Sequence, residues 1–168
     1  REHVELRKCG GGLLDGRDSQ NGSMHYVTNR TGSWSGGPVE HGVLSGSALA
    51  IDAAGQPHVC YATNPPGFAL VHATLAAGSW TGEQIDAFDW FPGPDRSLAF
   101  DGANQAHLLY TDHNGDLVHK MVRSGSWSLD WVDACSTTYC ALGVTPSGRV
   151  HVAYSALAGT HQLRYVAD

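Results

Sequence analysis

Short apolar runs separated by Gly, Asn, Asp, Ser or Pro recur along the chain, and none has the length or spacing that predicts a helix. The Leu-Ala-Phe run at residues 98–100 is apolar at every position, which is typical of an inner strand that is covered on both sides. The segment at residues 130–133 is more polar and predicts a strand at the rim of the molecule. The pattern therefore predicts an all-β protein of short strands and tight turns.

This pattern repeats with a period of about 46 residues. The tripeptide Gly-Ser-Trp occurs three times with spacings of 46 and 47 residues, ending at Trp34, Trp80 and Trp127. A His-x-x-Tyr strand recurs in step with it, beginning at His58, His107 and His151. Each unit contains four short strands, named a to d in chain order, and such a unit is typical of a four-stranded antiparallel β-propeller blade.

The strand order along the chain is bcd, abcd, abcd and abc, which amounts to about three and a half blades. The predicted blades cover approximately residues 1–42, 43–88, 95–134 and 139–168 of a single propeller domain, 1–168. Closed propellers typically have four to eight blades, and open strand edges invite aggregation. We therefore expect a fragment of a longer protein, or a partial ring that self-association or a further chain completes.

The loops predict a ligand-binding face. The a–b turns at residues 52–55, 101–104 and 146–148 are short and regular, whereas the d–a and b–c connections on the opposite face are irregular. Aromatic side chains beside Asp, Arg and His suit a polar ligand or a protein surface. The candidate binding residues are Trp90, Phe91, Asp95, Arg96, Asp112, His113 and Tyr139. The alternative for Trp90 and Phe91 is that they plug a blade junction.

The repeat pattern S-x-A-x-D-x-x-G-x-x-H-V-x-Y, followed by L-x-Y/H and G-S-W, resembles the repeats of bacterial secreted β-propellers. These are loosely related to sialidase-type (BNR) and lectin propellers. The resemblance implies an architecture and no particular activity. The Asp-box of sialidases joins strands c and d, whereas the Asp-x-x-Gly turn here joins a and b. Sialidases also need an arginine cluster, and no motif groups the arginines here, so the pattern argues against sialidase activity.

Three repeated or motif-like features have both a functional and a structural interpretation. The repeated histidines could form a metal ring, but they are expected to hydrogen-bond the turn ahead of each. The repeated tryptophans could stack on sugars, but they are expected to pack between blades. The segment at residues 112–116 is similar to a calcium loop, but its Asn-Gly pair is sufficient to predict a hairpin turn. We therefore predict no metal site and no cofactor.

Composition narrows the possible partners and the compartment. The formal net charge is −6 with ten Lys and Arg, none of them clustered, which argues against nucleic acid as a partner. No apolar run approaches the roughly 18 residues that a transmembrane helix needs. The four cysteines predict disulfides Cys135–Cys140 and Cys9–Cys60 and an extracellular, periplasmic or cell-surface location. Four buried free thiols are the alternative.

The sequence contains no G-x-S-x-G, H-E-x-x-H or P-loop motif, so we predict that the protein is not an enzyme. The predicted function is a non-catalytic, lectin-like extracellular module that binds carbohydrate or protein, or serves as a scaffold, through loops on one face. The alternatives are a structural subunit of a larger surface assembly and a part of a sialidase-like glycoside hydrolase.

Overall fold

The computed structural model consists of antiparallel β-strands joined by short turns. It describes residues 4–9, 23–41, 43–63, 68–88, 96–112, 114–123, 125–134, 137–156 and 162–168. The strands are β1 (Val4–Cys9), β2 (Ser23–Thr28), β3 (Ser35–His41), β4 (Val43–Ile51), β5 (Pro57–Thr63), β6 (Phe68–Ala76), β7 (Ser79–Phe88), β8 (Arg96–Phe100), β9 (Ala106–Thr111), β10 (Leu117–Arg123), β11 (Ser126–Asp133), β12 (Thr137–Val144), β13 (Val150–Ala156) and β14 (Gln162–Ala167). None of the described residues forms a helix that could cross a membrane.

The strands form four sheets in chain order. The first blade contains β1–β3, the second β4–β7, the third β8–β11 and the fourth β12–β14. Neighbouring strands within each sheet run antiparallel. The second and third blades are complete four-stranded units, whereas the first contains strands b to d and the fourth strands a to c. This arrangement confirms the predicted all-β fold of about three and a half blades.

Burial is greatest in strand b rather than in strand a. Every residue of β9 is buried, whereas only Arg96 and Leu98 of β8 are buried. The two-sided apolar pattern of residues 98–100 predicts that strand a is covered on both sides, but Ala99 and Phe100 are only partly buried. Strand b has a hydrogen-bonded strand on each side and a neighbouring blade over each face, whereas β8 is the edge strand of its sheet. The outer strands β7 and β11 are largely exposed, as expected at the rim.

The hydrophobic core lies between the blades. Val59 and Tyr61 of β5 pack with Met24 of the first blade. Cys60, which points to the other side of the same strand, packs with Leu98 and other residues of the third blade. A further cluster joins the third blade to the fourth. Burying one large apolar side chain stabilises a fold by about 1.5–3 kcal/mol, so each blade is stabilised mainly by its neighbours.

The position of Cys60 overturns one predicted disulfide. Cys60 is fully buried and is a free thiol. Its side chain faces the third blade, whereas Cys9 belongs to the first blade on the opposite side of the second. The Cys9–Cys60 disulfide is therefore not formed in this structure. Burial raises the pKa of the Cys60 thiol. Cys140 likewise forms no disulfide, so the predicted Cys135–Cys140 disulfide is not formed in this structure either. Cys135 itself lies outside the described residues.

The a–b turns are held by an acidic or hydroxyl side chain at their first position. Asp52 Oδ1 accepts hydrogen bonds from the backbone N–H groups of Ala54 and Gln56 at 2.9 and 2.7 Å. Asp101 makes the same pair of bonds in the third blade, and Thr145 replaces the acid in the fourth. The a–b turns of successive blades also touch, because Asn104 Nδ2 donates to Asp52 Oδ2 at 3.2 Å. The turns therefore help to set the spacing between blades.

Candidate functional site

The second blade carries two stacked histidines between two carboxylates. His58 Nδ1 lies 3.0 Å from His72 Nε2, and the ring centroids are 5.1 Å apart with an interplanar angle of 11°. His72 Nδ1 lies 2.9 Å from Glu83 Oε1, and His58 Nε2 lies 3.5 Å from Asp52 Oδ2. A continuous polar path therefore crosses the blade from the a–b turn to the outer strand.

The third blade repeats this arrangement with a looser outer end. His107 Nδ1 lies 3.1 Å from His119 Nε2, and His107 Nε2 lies 3.6 Å from Asp101 Oδ2. His119 Nδ1 is 3.9 Å from Asp130 Oδ2, which is too long for a hydrogen bond. In the fourth blade a tyrosine replaces the second histidine, and His151 Nδ1 lies 2.6 Å from the Tyr165 hydroxyl.

A threonine hydroxyl also reaches the His58–His72 pair. Thr74 Oγ1 lies 2.9 Å from His58 Nδ1, so that nitrogen faces both the hydroxyl and His72 Nε2. His72 Nδ1 donates to Glu83, whereas His58 Nε2 makes no hydrogen bond although it faces Asp52. Burial lowers the pKa of His58 and His72 lowers it further, while Asp52 opposes both effects. This shift favours the neutral form of His58.

Asp52 is held in its charged form. Burial alone would raise the pKa of Asp52, but hydrogen bonds from the Gln56 amide and the Asn104 side chain outweigh burial and lower that pKa below its usual value. His58 adds to the lowering. The carboxylate therefore serves as an acceptor for the turn around it.

A tryptophan of the third blade contacts Glu83, the carboxylate at the outer end of the polar path through the second blade. Trp127 Nε1 donates to Glu83 Oε1 at 3.1 Å, and the Trp127 ring meets the edge of His72 with centroids 5.4 Å apart. The Glu83 side chain is 57% exposed, whereas His72 is buried. We name His72, Glu83 and Trp127 the rim site. It presents an oriented carboxylate and an indole to solvent at a blade junction.

The predicted packing role of the tryptophans is confirmed at two junctions. Trp127 packs against the cluster between the second and third blades. Trp80 packs against the cluster between the first and second blades, and its ring meets Tyr26 edge-on at 5.6 Å. Trp34 is exposed.

The opposite ends of the outer strands carry clamps between blades. The Tyr110 hydroxyl donates to Asp86 Oδ2 at 2.6 Å, and Lys120 Nζ lies 2.8 Å from the same oxygen. Tyr154 and Arg164 bind Asp133 in the same way, at 2.6 and 2.8 Å. Burial and the bond to Asp86 raise the pKa of Tyr110, so this hydroxyl stays a donor. These clamps join strand d of one blade to strands b and c of the next.

We name the face that carries the d–a and b–c connections the loop face, and its candidate binding residues are only partly described. Trp90, Phe91, Asp95 and His113 lie outside the described residues. Arg96 begins β8 and is buried, with 8% of its surface exposed, so it differs from the exposed loop residue that was expected. Tyr139 is 72% exposed in β12. The topology places the start of β8, the end of β9 and the start of β12 on one face, so Arg96, Asp112 and Tyr139 share that face.

Asp112 organises a turn. Its Oδ1 atom accepts the backbone N–H groups of Asn114 and Asp116 at 2.8 and 2.9 Å. Gly115 has a φ of 86°, which a glycine adopts readily. The hairpin interpretation of this segment is therefore confirmed. Within the described part of the chain, no group of three or more His, Cys, Asp or Glu side chains is arranged to hold a metal ion.

The junction between the third and fourth blades contains an open cleft of about 240 Å³. His119 and Asp130 line the side that belongs to the third blade, and Val150, Val152 and Val166 line the side that belongs to the fourth. Trp131, which is exposed, and Asp168 also border it. The cleft therefore combines an apolar floor with one imidazole and two carboxylates.

Neither a protein-family model nor a curated protein matches the sequence. Solved structures match at low identity. The fungal lectin of Aleuria aurantia, a six-bladed β-propeller, is 11% identical with a TM-score of 0.65 over 98% of this chain and 60% of that one. The fold is a β-propeller.

Two enzymes share this propeller fold. The α-L-arabinanase of Penicillium chrysogenum is 12% identical with a TM-score of 0.61, over 87% of this chain and 54% of that one. The leech intramolecular trans-sialidase is 10% identical with a TM-score of 0.55, over 90% of this chain and 28% of that one. The propeller chain thus spans less than two thirds of each of the three structures. Because the same fold serves a lectin and enzymes, its function must be argued from its own residues.

Sequence reasoning missed the rim site of this propeller. Its carboxylate follows the repeated tryptophan at a constant spacing, as Trp80 and Glu83 or Trp127 and Asp130. That spacing is a usable signal within one blade. The contact itself joins Glu83 to the tryptophan of the next blade, 44 residues away, and depends on how the blades pack.

Proposed function

We propose that this propeller is a non-catalytic carbohydrate-binding module and that the rim site contacts the sugar. The observation that supports the proposal is the shared Glu83 carboxylate. The Glu83 side chain is more than half exposed, and its Oε1 atom already accepts hydrogen bonds from His72 and Trp127. An ionised carboxylate has about four lone-pair positions, so capacity remains for the hydroxyl groups of a ligand.

The chemistry of the site fits a sugar. Sugar hydroxyl groups donate to carboxylates, and the apolar face of a sugar ring packs on aromatic side chains such as Trp127. Binding is stronger when the receptor is ordered in advance, because less conformational entropy is lost on association. The buried His58–His72 pair holds Glu83 from behind and provides that order.

The rim site is better suited to binding than to glycoside hydrolysis. Most glycosidases place two carboxyl groups on either side of the scissile bond, about 5–10 Å apart. The rim site has one carboxylate, Glu83, which is committed to two hydrogen-bond donors. The solved lectin from Aleuria aurantia is described by its fucose recognition, which makes fucosides sensible first probes for this chain.

The loop face is a second candidate for ligand contact. The exposed phenol ring of Tyr139 supports it, since exposed aromatic rings are favoured contact residues in protein interfaces.

The location outside the cytoplasm that the sequence predicts also stays a proposal.

A glycan array followed by calorimetric titration of the best ligand tests the proposal. Glu83→Gln keeps the shape of the side chain and removes its charge. A hydrogen bond to a charged group contributes about 1.5–3 kcal/mol, so we expect affinity to fall by roughly 10- to 100-fold. Trp127→Phe should also weaken binding. Thermal unfolding of each variant verifies that it is folded.

Two further variants serve as controls. Asp130→Asn changes the equivalent carboxylate of the third blade and should leave sugar affinity unchanged, as should Tyr139→Ala on the loop face. An array without any bound glycan contradicts the proposal. Binding that survives Glu83→Gln but disappears in Tyr139→Ala would move the site to the loop face.

A further inference from the structure

The pairing register of the strands shows that the open cleft corresponds to the place that Trp127 occupies at the preceding blade junction. In the third blade His119 pairs with Leu109, and Val122 pairs with Trp127 of the outer strand. In the fourth blade Tyr165 pairs with Ala153, which occupies the position of Leu109 in the His-x-x-Tyr repeat. Asp168 therefore stands where Val122 stands in the third blade. An outer strand beside β14 would place its tryptophan opposite Asp168.

The preceding junction shows what such a tryptophan contacts. Trp127 packs on the cluster that contains Ala106 and Leu108 of its own blade. It also contacts His72 and Glu83 of the second blade. The indole is therefore seated on an apolar cluster and meets one imidazole and one carboxylate of the preceding blade.

The cleft is lined by the residues at the corresponding positions of the next junction. Val150 and Val152 replace Ala106 and Leu108, and His119 and Asp130 replace His72 and Glu83. All four line the open space of about 240 Å³, together with Asp168. The cleft therefore has the apolar floor, the imidazole and the carboxylate acceptor that surround Trp127.

The edge of the fourth blade is unpartnered among the described strands. β14 pairs with β13 on one side and is the last strand of its sheet. Tyr165 is 65% exposed, whereas His72 and His119, which occupy its position in the two complete blades, are 7% and 5% exposed. Leu163 and Val166 of β14 are exposed as well. An exposed edge of this kind is a template for strand addition.

We infer that the cleft and the β14 edge together form an acceptor for one further strand of this repeat type. The occupant is an extended segment that begins with Gly-Ser-Trp and pairs antiparallel with β14. Its indole enters the cleft and donates its N–H group to Asp130, as Trp127 does to Glu83. This inference is independent of the proposed sugar site, which lies at the preceding junction.

A peptide with the sequence of residues 77–88 is a suitable probe, because it contains Gly-Ser-Trp and a single tryptophan. Its binding to the whole chain is measured by calorimetry and by hydrogen exchange of the β14 amides. We expect saturable binding, slower exchange in β14, and an affinity at least about tenfold weaker for the same peptide with Trp80→Ala.

Variants of the chain locate the peptide. Val166→Tyr fills the cleft from an exposed position and should weaken peptide binding by about tenfold or more. Leu163→Tyr introduces the same aromatic side chain on the same strand, outside the residues that line the cleft, and should have little effect. Glu83→Gln should leave peptide binding unchanged, so failure of the sugar proposal would not affect this result.

Three outcomes would overturn the inference. The first is no binding of the peptide at about 1 mM, a concentration that corresponds to roughly 4 kcal/mol of binding free energy. The second is equal binding of the tryptophan and alanine peptides. The third is a saccharide that binds in the cleft and loses affinity in Val166→Tyr, because the cleft would then be a sugar site.

Discussion

The indole N–H group of Trp127 in the third blade donates to the Glu83 carboxylate of the second blade at 3.1 Å. The same carboxylate oxygen lies 2.9 Å from His72 Nδ1, at the end of a polar path through His58 to Asp52. One carboxylate thus connects the core of its own blade to the outer strand of the next. Packing between blades and the proposed ligand contact therefore depend on the same side chain.

Trp127→Ala should destabilise the protein by about 2–4 kcal/mol, because it removes a half-buried aromatic ring from the blade junction. Trp127→Phe retains an aromatic ring and loses the hydrogen bond, so about 1 kcal/mol is expected. Urea unfolding at equilibrium measures both. Trp131→Ala, at an exposed position of the same strand, is the control and should stay within about 0.5 kcal/mol. Equal effects of Trp127→Ala and Trp131→Ala would show that the junction contact is unimportant.

Gly102→Ala should destabilise the contact between the turns of the third and fourth blades. The Gly102 N–H group donates to the Pro146 carbonyl oxygen at 3.0 Å, and a Cβ atom at Gly102 would clash with that oxygen. Moving backbone to relieve such a clash typically costs about 1–3 kcal/mol. Gly37→Ala is the matched control, since a Cβ atom there meets nothing within 4 Å. Similar melting temperatures for the two variants would contradict the prediction.

Stability should fall as the pH decreases below about 6.5. The pKa of His58 is lower in the folded state than in the unfolded chain. As the pH decreases, the unfolded chain therefore binds a proton at His58 before the folded protein does, which favours unfolding. The loss continues down to the folded pKa and then levels off. Asp52, whose folded pKa is lowered, contributes stability above its ordinary value of 3.8 that is lost only at more acidic pH.

His58→Gln should flatten the upper part of this pH profile without moving the part that Asp52 controls. Unfolding free energy measured from pH 8 to pH 3 separates the two ranges. Thr31→Ala, in an exposed turn, controls for substitution itself. A profile of His58→Gln that parallels the unchanged protein between pH 6.5 and 5 would assign the acid sensitivity elsewhere.

Cys60 should resist thiol reagents in the folded protein. Its side chain is fully buried between two blades, and burial raises the pKa of the thiol, so the reactive thiolate is scarce. Mass spectrometry after treatment with iodoacetamide should find Cys60 unmodified in buffer and modified in concentrated denaturant without a reductant. A requirement for a reductant in denaturant would indicate a disulfide and contradict the free thiol.

The repeat predicted the architecture, because each blade is encoded locally. The alternation of short apolar runs and turn residues gives the strands, and the 46-residue period gives the order of strands in the four sheets. The turn at Asp52 is also local, since its hydrogen bonds span two to four residues. Local chemistry of this kind recurs from blade to blade, with Thr145 in place of the acid in the fourth, which is why a single chain was sufficient to recognise it.

The chain alone thus determined the four-stranded units and their turns, but only packing between units decided what meets at each junction. Glu83 and Trp127 are 44 residues apart, and Cys60 faces the third blade because alternate residues of β5 point to opposite neighbours. The repeat sequence does not indicate which face of a blade packs against which neighbouring blade. Those contacts form only when neighbouring sheets bury their apolar faces against each other. The same packing borders the cleft beside Asp130, which is open because no outer strand covers β14 among the described residues.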